Sequence, residues 1–171
     1  MTTTTAEAAS PRVVNLAPDT FDRILAGVAL VLLAAVASAI WRGRAEWGDV
    51  PVFIWAHIAT ILVAVALTPL MLLRRRGDRL HRRLGWIWVS ALFFTALFTF
   101  GIRGVNGANL SWIHLLSAWT LTQVPMIAWT ARTHRVNWHR HSVRGMIVGA
   151  LIIAGAFTFP VERLMGHWLF R

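Results

Sequence analysis

The 171-residue chain has no cysteine, no tyrosine and no lysine, and only seven acidic residues. Without cysteine there is no disulfide, no thiolate for an iron–sulfur cluster and no covalent c-type haem attachment. Without lysine, all 17 basic residues are arginine, and the formal net charge is +10. Charge of any sign is scarce at 14%, against 57% apolar residues and a mean hydropathy of +0.58, which lies outside the soluble range. The apolar stretches are continuous rather than alternating, so there is no β-barrel pattern. No carboxylate lies at the centre of an apolar run. The polar groups there are few, Gln123, Thr95, Thr99, Thr122 and Thr158, which argues against a proton-coupled carrier.

What is present is a set of five apolar runs, near Phe21–Trp41, Pro51–Leu73, Leu84–Ile102, Leu110–Ala131 and Gly145–Val161. Each is long enough to cross a hydrocarbon core of about 30 Å, the last with its extension through Leu164 and Met165. The predicted fold is an all-α integral membrane protein with five transmembrane helices. Residues 1–20 are expected to be a flexible cytoplasmic tail, because they are Thr/Ala-rich, broken by Pro11 and Pro18, and lack a signal-peptide pattern. Residues 21–50 form the first span and an outer loop. Residues 51–171 form a four-helix bundle of two helix-pair repeats, with the first span peripheral to it.

Arginine placement sets the expected topology. Residues 74–83 hold six arginines and one aspartate, and residues 132–144 hold four arginines. Residues 103–109 hold one, and residues 42–50 hold two against Glu46 and Asp49. The positive-inside rule then places the second-to-third and fourth-to-fifth connections in the cytoplasm, with the N-terminus inside and the C-terminus outside. Arginines used this way are topology determinants, and nucleic acid is not an expected partner. Nine of the ten tryptophans fall near the predicted boundaries, Trp41, Trp47, Trp55, Trp112 and Trp168 at the outer one and Trp86, Trp88, Trp129 and Trp138 at the inner one, as interfacial anchors in contact with the lipid bilayer.

Histidines recur across the repeat. Trp55-Ala56-His57 opens one run and His81-Arg82 follows it; Trp112-Ile113-His114 opens another and His139-Arg140 follows it. His57 precedes Arg74 by 17 residues and His114 precedes Arg132 by 18, so both lie about 25 Å from the cytoplasmic boundary. His81 and His139 lie at the cytoplasmic edge itself. One pair is therefore outer and one inner, each drawn from two different helices. A haem iron held by two imidazoles needs that arrangement. The reading is two b-type haems, ligated by His57/His114 and His81/His139. Arg82, Arg83 and Arg140 are propionate candidates inside, and Arg103 and Arg163 outside. His141 is an alternative inner ligand, since Gly145 follows it by four residues as Gly85 follows His81. His134 and His167 are read as interfacial.

The stretches HIATILVAVALTPLMLLRRRGDRLHRRLGWIWV, SWIHLLS and WHRHSVRGMIVGALIIAGAFTF resemble a bacterial membrane-protein family known as domain of unknown function 2306, from about residue 51 to the C-terminus. The resemblance implies histidines at the positions of His57, His81, His114 and His139. The family's HRxxM is here His139-Arg140-His141-Ser142-Val143, which keeps His139 and His141 both open, and its Leu-Pro-Gly-Arg is here Phe159-Pro160-Val161-Glu162-Arg163, where Arg163 clearly matches. In helix order and histidine placement the chain is more distantly similar to cytochrome b561-type proteins. That similarity implies transmembrane electron transfer through two haems, with a quinone or small reductant as partner, and the bacterial family implies the inner membrane as its place. The alternatives are a haem-free transporter, an accessory or scaffold subunit, a metal-dependent hydrolase using Glu162 near His167, and copper or zinc held by His134, His139 and His141. Oligomeric state is left open by the sequence.

Overall fold

Asp19 starts the first helix. Its carboxylate accepts the Asp22 backbone N–H at 2.9 Å, and the Asp22 carboxylate accepts the Asp19 N–H at 3.0 Å, a reciprocal capping box. In the computed structural model, which describes residues 16–102 and 112–171, this helix (α1) runs Thr20–Arg42 and tightens into a 3₁₀ segment, Gly43–Asp49. Then follow α2 (Val52–Leu73), α3 (Arg79–Thr99) and α4 (Trp112–Arg132). Helix α5 begins as Val136–Met146, passes through π-helical turns at Ile147–Ile153 and ends as Ala154–Ala156. A short α6 spans Leu164–Phe170. No strand occurs among the described residues.

Two helices, α1 with its 3₁₀ extension and α2, are long and apolar enough to cross a membrane. Helices α3 and α5 begin earlier than their apolar runs, because the helix continues back through polar turns. Asp78 explains the first case: it N-caps α3 by accepting the His81 N–H at 2.6 Å and pairs with Arg74 at 2.6 Å. Those early turns bring Arg79, His81, Arg82 and Arg83 into α3, and Asn137, His139, Arg140, His141 and Arg144 into α5, diluting both. The fifth helix also stops at Ala156, short of the expected Val161.

From α1 to α5 each helix packs on its neighbour in the chain, the π-helical part of α5 returns against α1, and α6 also packs on α1. Helix α1 is thus not peripheral. Leu25 and Ala26 of α1 share one core with Ala64 and Val65 of α2, Trp88 and Leu92 of α3, Val124 and Ile127 of α4, and Met146, Ile147 and Leu151 of α5. Burying such side chains contributes on the order of 1.5–3 kcal/mol each in a water reference; in a bilayer the gain is close packing rather than apolar burial.

The two ends of the molecule differ. At the basic end, Asp22, with none of its surface exposed, holds Arg76 from the α2–α3 turn and Arg144 and Arg140 from α5. Arg144 reaches Asp22 at 2.7 Å and Asp19 at 2.6 Å, and Arg140 also pairs with Asp19. Arg76 further donates to the Ala17 carbonyl at 2.8 Å and the Leu16 carbonyl at 3.4 Å, so residues 16–19 are tied down, in contrast to the loose tail expected over 1–20. Residues 1–15 lie outside the described residues. At the far end, α6 covers the 3₁₀ segment: Trp168 lies where any side chain at Gly43 would sit, and its indole N–H donates to Glu46 at 3.0 Å.

Arg74, with help from the His81 N–H, holds the Asp78 carboxyl down at about 2, and the Arg144 guanidinium holds Asp19 well below the usual carboxylate range. Depressed folded values mean that both contributions are present above the unfolded carboxylate value near 3.9 and fade as pH falls through the folded one. Thermal melts in detergent should therefore hold level from pH 7 to about 5 and fall progressively from pH 4 to 2, less so in Asp78→Asn, which keeps the cap without the titration.

Candidate functional site

His57 lies on the second turn of α2, facing α3. Its Nδ1 is 3.2 Å from the Thr95 carbonyl and 3.2 Å from the Thr99 hydroxyl. A carbonyl only accepts, so Nδ1 carries the proton and Nε2 presents its lone pair. The Thr99 hydroxyl donates to the same Thr95 carbonyl at 2.9 Å, and the Thr95 hydroxyl donates to Thr60 at 2.8 Å, whose own hydroxyl caps the Ala56 and His57 carbonyls. Thr95 and Thr99, which as bare sequence count as mid-membrane polar groups, are here the clamp on one imidazole.

The same device recurs at the basic end. His139, in the first turns of α5, donates Nδ1–H to the Ile127 carbonyl of α4 at 3.2 Å, with Thr130 Oγ1 3.5 Å away. Thr130 donates to that same carbonyl at 3.0 Å. Helix carbonyl, threonine on the next turn and clamped imidazole form one motif, built twice. It fixes ring orientation and tautomer as second-layer partners of ligating histidines do.

The two remaining candidates have other surroundings. The His114 ring packs on Phe100 at the end of α3, centroids 5.6 Å apart, so His57 and His114 approach the final turns of α3 from α2 and α4. His81, early in α3, lies within electrostatic reach of His139, and its buried Nδ1 has no partner. These four histidines are all half-buried, whereas His134 and His141 are exposed. His134 takes a left-handed backbone, φ 54°, which ends α4 and turns the chain into α5.

The arginine candidates divide. Arg82 and Arg83 are exposed, and Arg82 donates to the Gly77 carbonyl at 2.6 Å. The terminal nitrogen of Arg140 goes to Asp19 and Asp22, while its buried Nε has no partner. Arg163 is half-buried in the turn before α6. Arg103 lies outside the described residues. Among the small residues beside the ligand candidates, Ser117 is buried and bonds its own helix at Ile113, Ala118 is exposed, and Gly85 faces Met71.

Between the two histidine levels the core is closed. Trp88 lies seven residues from both His81 and Thr95, about 10 Å of helix rise either way. It is fully buried, and its indole N–H donates to Thr68 at 3.0 Å. Trp119 of α4 comes in from the other side, over Gly149, where a side chain would meet its ring at 3.2 Å. Leu92, Ile127, Met146, Ile147 and Leu151 complete a dry layer.

The residues present fit a bis-imidazole site. Clamped Nδ1–H groups leave Nε2 to ligate, and the orphaned His81 Nδ1 and Arg140 Nε are buried polar atoms that need partners. No group of three His, Cys, Asp or Glu placed to hold a bare metal ion occurs among the described residues. The carboxylate beside His167 is Glu46, at 3.5 Å, rather than Glu162, which is exposed. No protein-family model, curated protein or solved structure matches the chain. The threonine clamps, the Asp19–Asp22 cluster and the Trp88–Thr68 bond were missed by sequence reasoning. Only the two aspartates had a signal, as rare acids in an arginine-rich chain.

Proposed function

We propose that this chain is a five-span bacterial inner-membrane protein that carries electrons between two histidine levels, each holding one b-type haem. Its basic end would face the cytoplasm and α6 the outside. The observation that carries the reading is the repeated clamp on His57 and His139, one at each level, which leaves Nε2 of each ring to ligate.

A haem held by two imidazoles supplies a one-electron couple with no open coordination position, which disfavours oxygen chemistry at iron. The protein's part is position and dielectric. Thr95 and Thr99 hold the His57 ring, the Ile127 carbonyl holds the His139 ring, and His114 and His81 would supply the second imidazole at each level. The Trp88 and Trp119 layer keeps water out between the levels while leaving a packed path about 20 Å long. That layer favours electron over solute passage, because among the described residues the bundle centre at Trp88, Leu92 and Ile127 is apolar apart from Thr68, whose hydroxyl is taken up by the Trp88 indole and the Ala64 carbonyl. Quinone or a small reductant is the expected class of partner.

A reduced-minus-oxidised spectrum of the detergent-purified protein, with a pyridine haemochrome count, tests this directly. A b-type spectrum at about two haems per chain is the expected result. Folded protein produced with haem supply yet lacking a Soret band would overturn it and leave a transporter or accessory subunit.

A further inference from the structure

Arginine is distributed very unevenly between the two histidine levels. Around the basic end stand Arg23, the six arginines of residues 74–83, and Arg132, Arg135, Arg140 and Arg144, against Asp19, Asp22 and Asp78. At the far end, four described arginines face three carboxylates, Glu46, Asp49 and Glu162, so the charge there nearly cancels.

The arginines nearest the His81/His139 level are built in rather than loosely arrayed on the surface. The Arg76 side chain is 12% exposed, held by Asp22 and two backbone carbonyls, and lies within electrostatic reach of both His81 and His139. Arg140 follows His139 directly, and its Nε is buried without a partner. Asp19 and Asp22 together face three guanidiniums, Arg76, Arg140 and Arg144, so the cluster keeps a net positive charge. The His57 clamp contains only threonines and backbone.

We infer that this cluster makes the His81/His139 level the more electron-stabilising of the two, so that electrons run from the His57/His114 level toward the basic end. The inference rests on the proposed haem reading. In the inter-level step, one electron leaves the outer couple, which is oxidised, and enters the inner couple, which is reduced. No bond breaks and no proton is required to move. Fixed cations favour the state with the extra electron, and weak screening in a partly buried site preserves the effect.

The test is a potentiometric titration of the purified full chain, comparing wild type with His81→Ala, His114→Ala and Arg76→Gln. Two midpoints are expected, with the higher one lost in His81→Ala and the lower one lost in His114→Ala. Arg76→Gln should change the inter-level equilibrium about tenfold, a fall of ~59 mV in the higher midpoint alone for a one-electron couple. If Arg76→Gln fails to fold for want of its bond to Asp22, the exposed Arg83→Gln should give a smaller fall of the same sign. Loss of the higher midpoint in His114→Ala, or no selective fall in either arginine variant, overturns the inference while leaving the haem reading intact. Absence of any midpoint and of any Soret band overturns that reading, and the direction with it.

Discussion

Asp22→Asn should cost on the order of 3 kcal/mol of stability, the largest loss expected from any single polar change in this chain. Asn keeps the shape and can still accept the Asp19 N–H, so the capping box is only weakened. What goes is the negative charge facing Arg76, Arg140 and Arg144. Breaking a buried pair from one side leaves uncompensated buried charge, and here three helix-bearing segments share it. The expected fall in Tm in detergent is on the order of 6–12 °C for a chain of this size. Asp19→Asn should cost less, because Asp19 is 45% exposed and water replaces part of the interaction. A melt of Asp22→Asn within about 1 °C of wild type would mean that the cluster does not hold α1 to α5.

Level-selective loss of haem is the second large effect. His57→Ala and His114→Ala should each lower the haem count from about two per chain to about one, with the same remaining spectrum. His81→Ala and His139→Ala should each do likewise and leave the other spectrum. His141→Ala should leave both, since that ring is exposed and the clamp on Ile127 belongs to His139. Thr99→Val should keep the count but loosen the His57 ring, seen as a shifted midpoint of the outer couple. An unchanged count in His57→Ala would refute the outer pairing. Equal loss in His139→Ala and His141→Ala would mean that the first turn of α5 rearranges around the cofactor.

Long apolar runs made the first and second helices legible almost to the residue, because nothing competes with helix inside an apolar stretch of that length. Where helix continued into polar sequence the boundary was lost: α3 starts at Arg79 because Asp78 caps it, and a cap of one residue carries little weight against a run of arginines. Repetition singled out four histidines. The clamps on two of them, His57 and His139, carried no signal, because Thr99 meets His57 only through the rotation of α3 against α2, which no spacing within either helix encodes. Helix α1 carries no histidine and so looked peripheral. Its role depends on Asp22 meeting Arg144, 122 residues away.

The π-helical stretch of α5 has a consequence for how this chain tolerates length changes. In an α-helix each residue advances the face by about 100°; wider turns advance it less, and a π-bulge commonly records one extra residue accommodated within a helix. In α5 the segment before the bulge aims His139 at α4, and the segment after it sets Gly155 against Leu32 of α1, where an added side chain would meet Leu32 at 2.9 Å. The two halves are thus phased separately, like two gears on a slipped shaft. Removing one residue from Ile147–Ile153 would let the stretch relax to ordinary helix and leave the segments on either side in their present phase. His139 and Gly155 would both keep their seats, so a one-residue deletion within these seven positions is expected to spare the imidazole and the contact with α1, whereas the same deletion in the ordinary helix before the stretch would swing one away from the other.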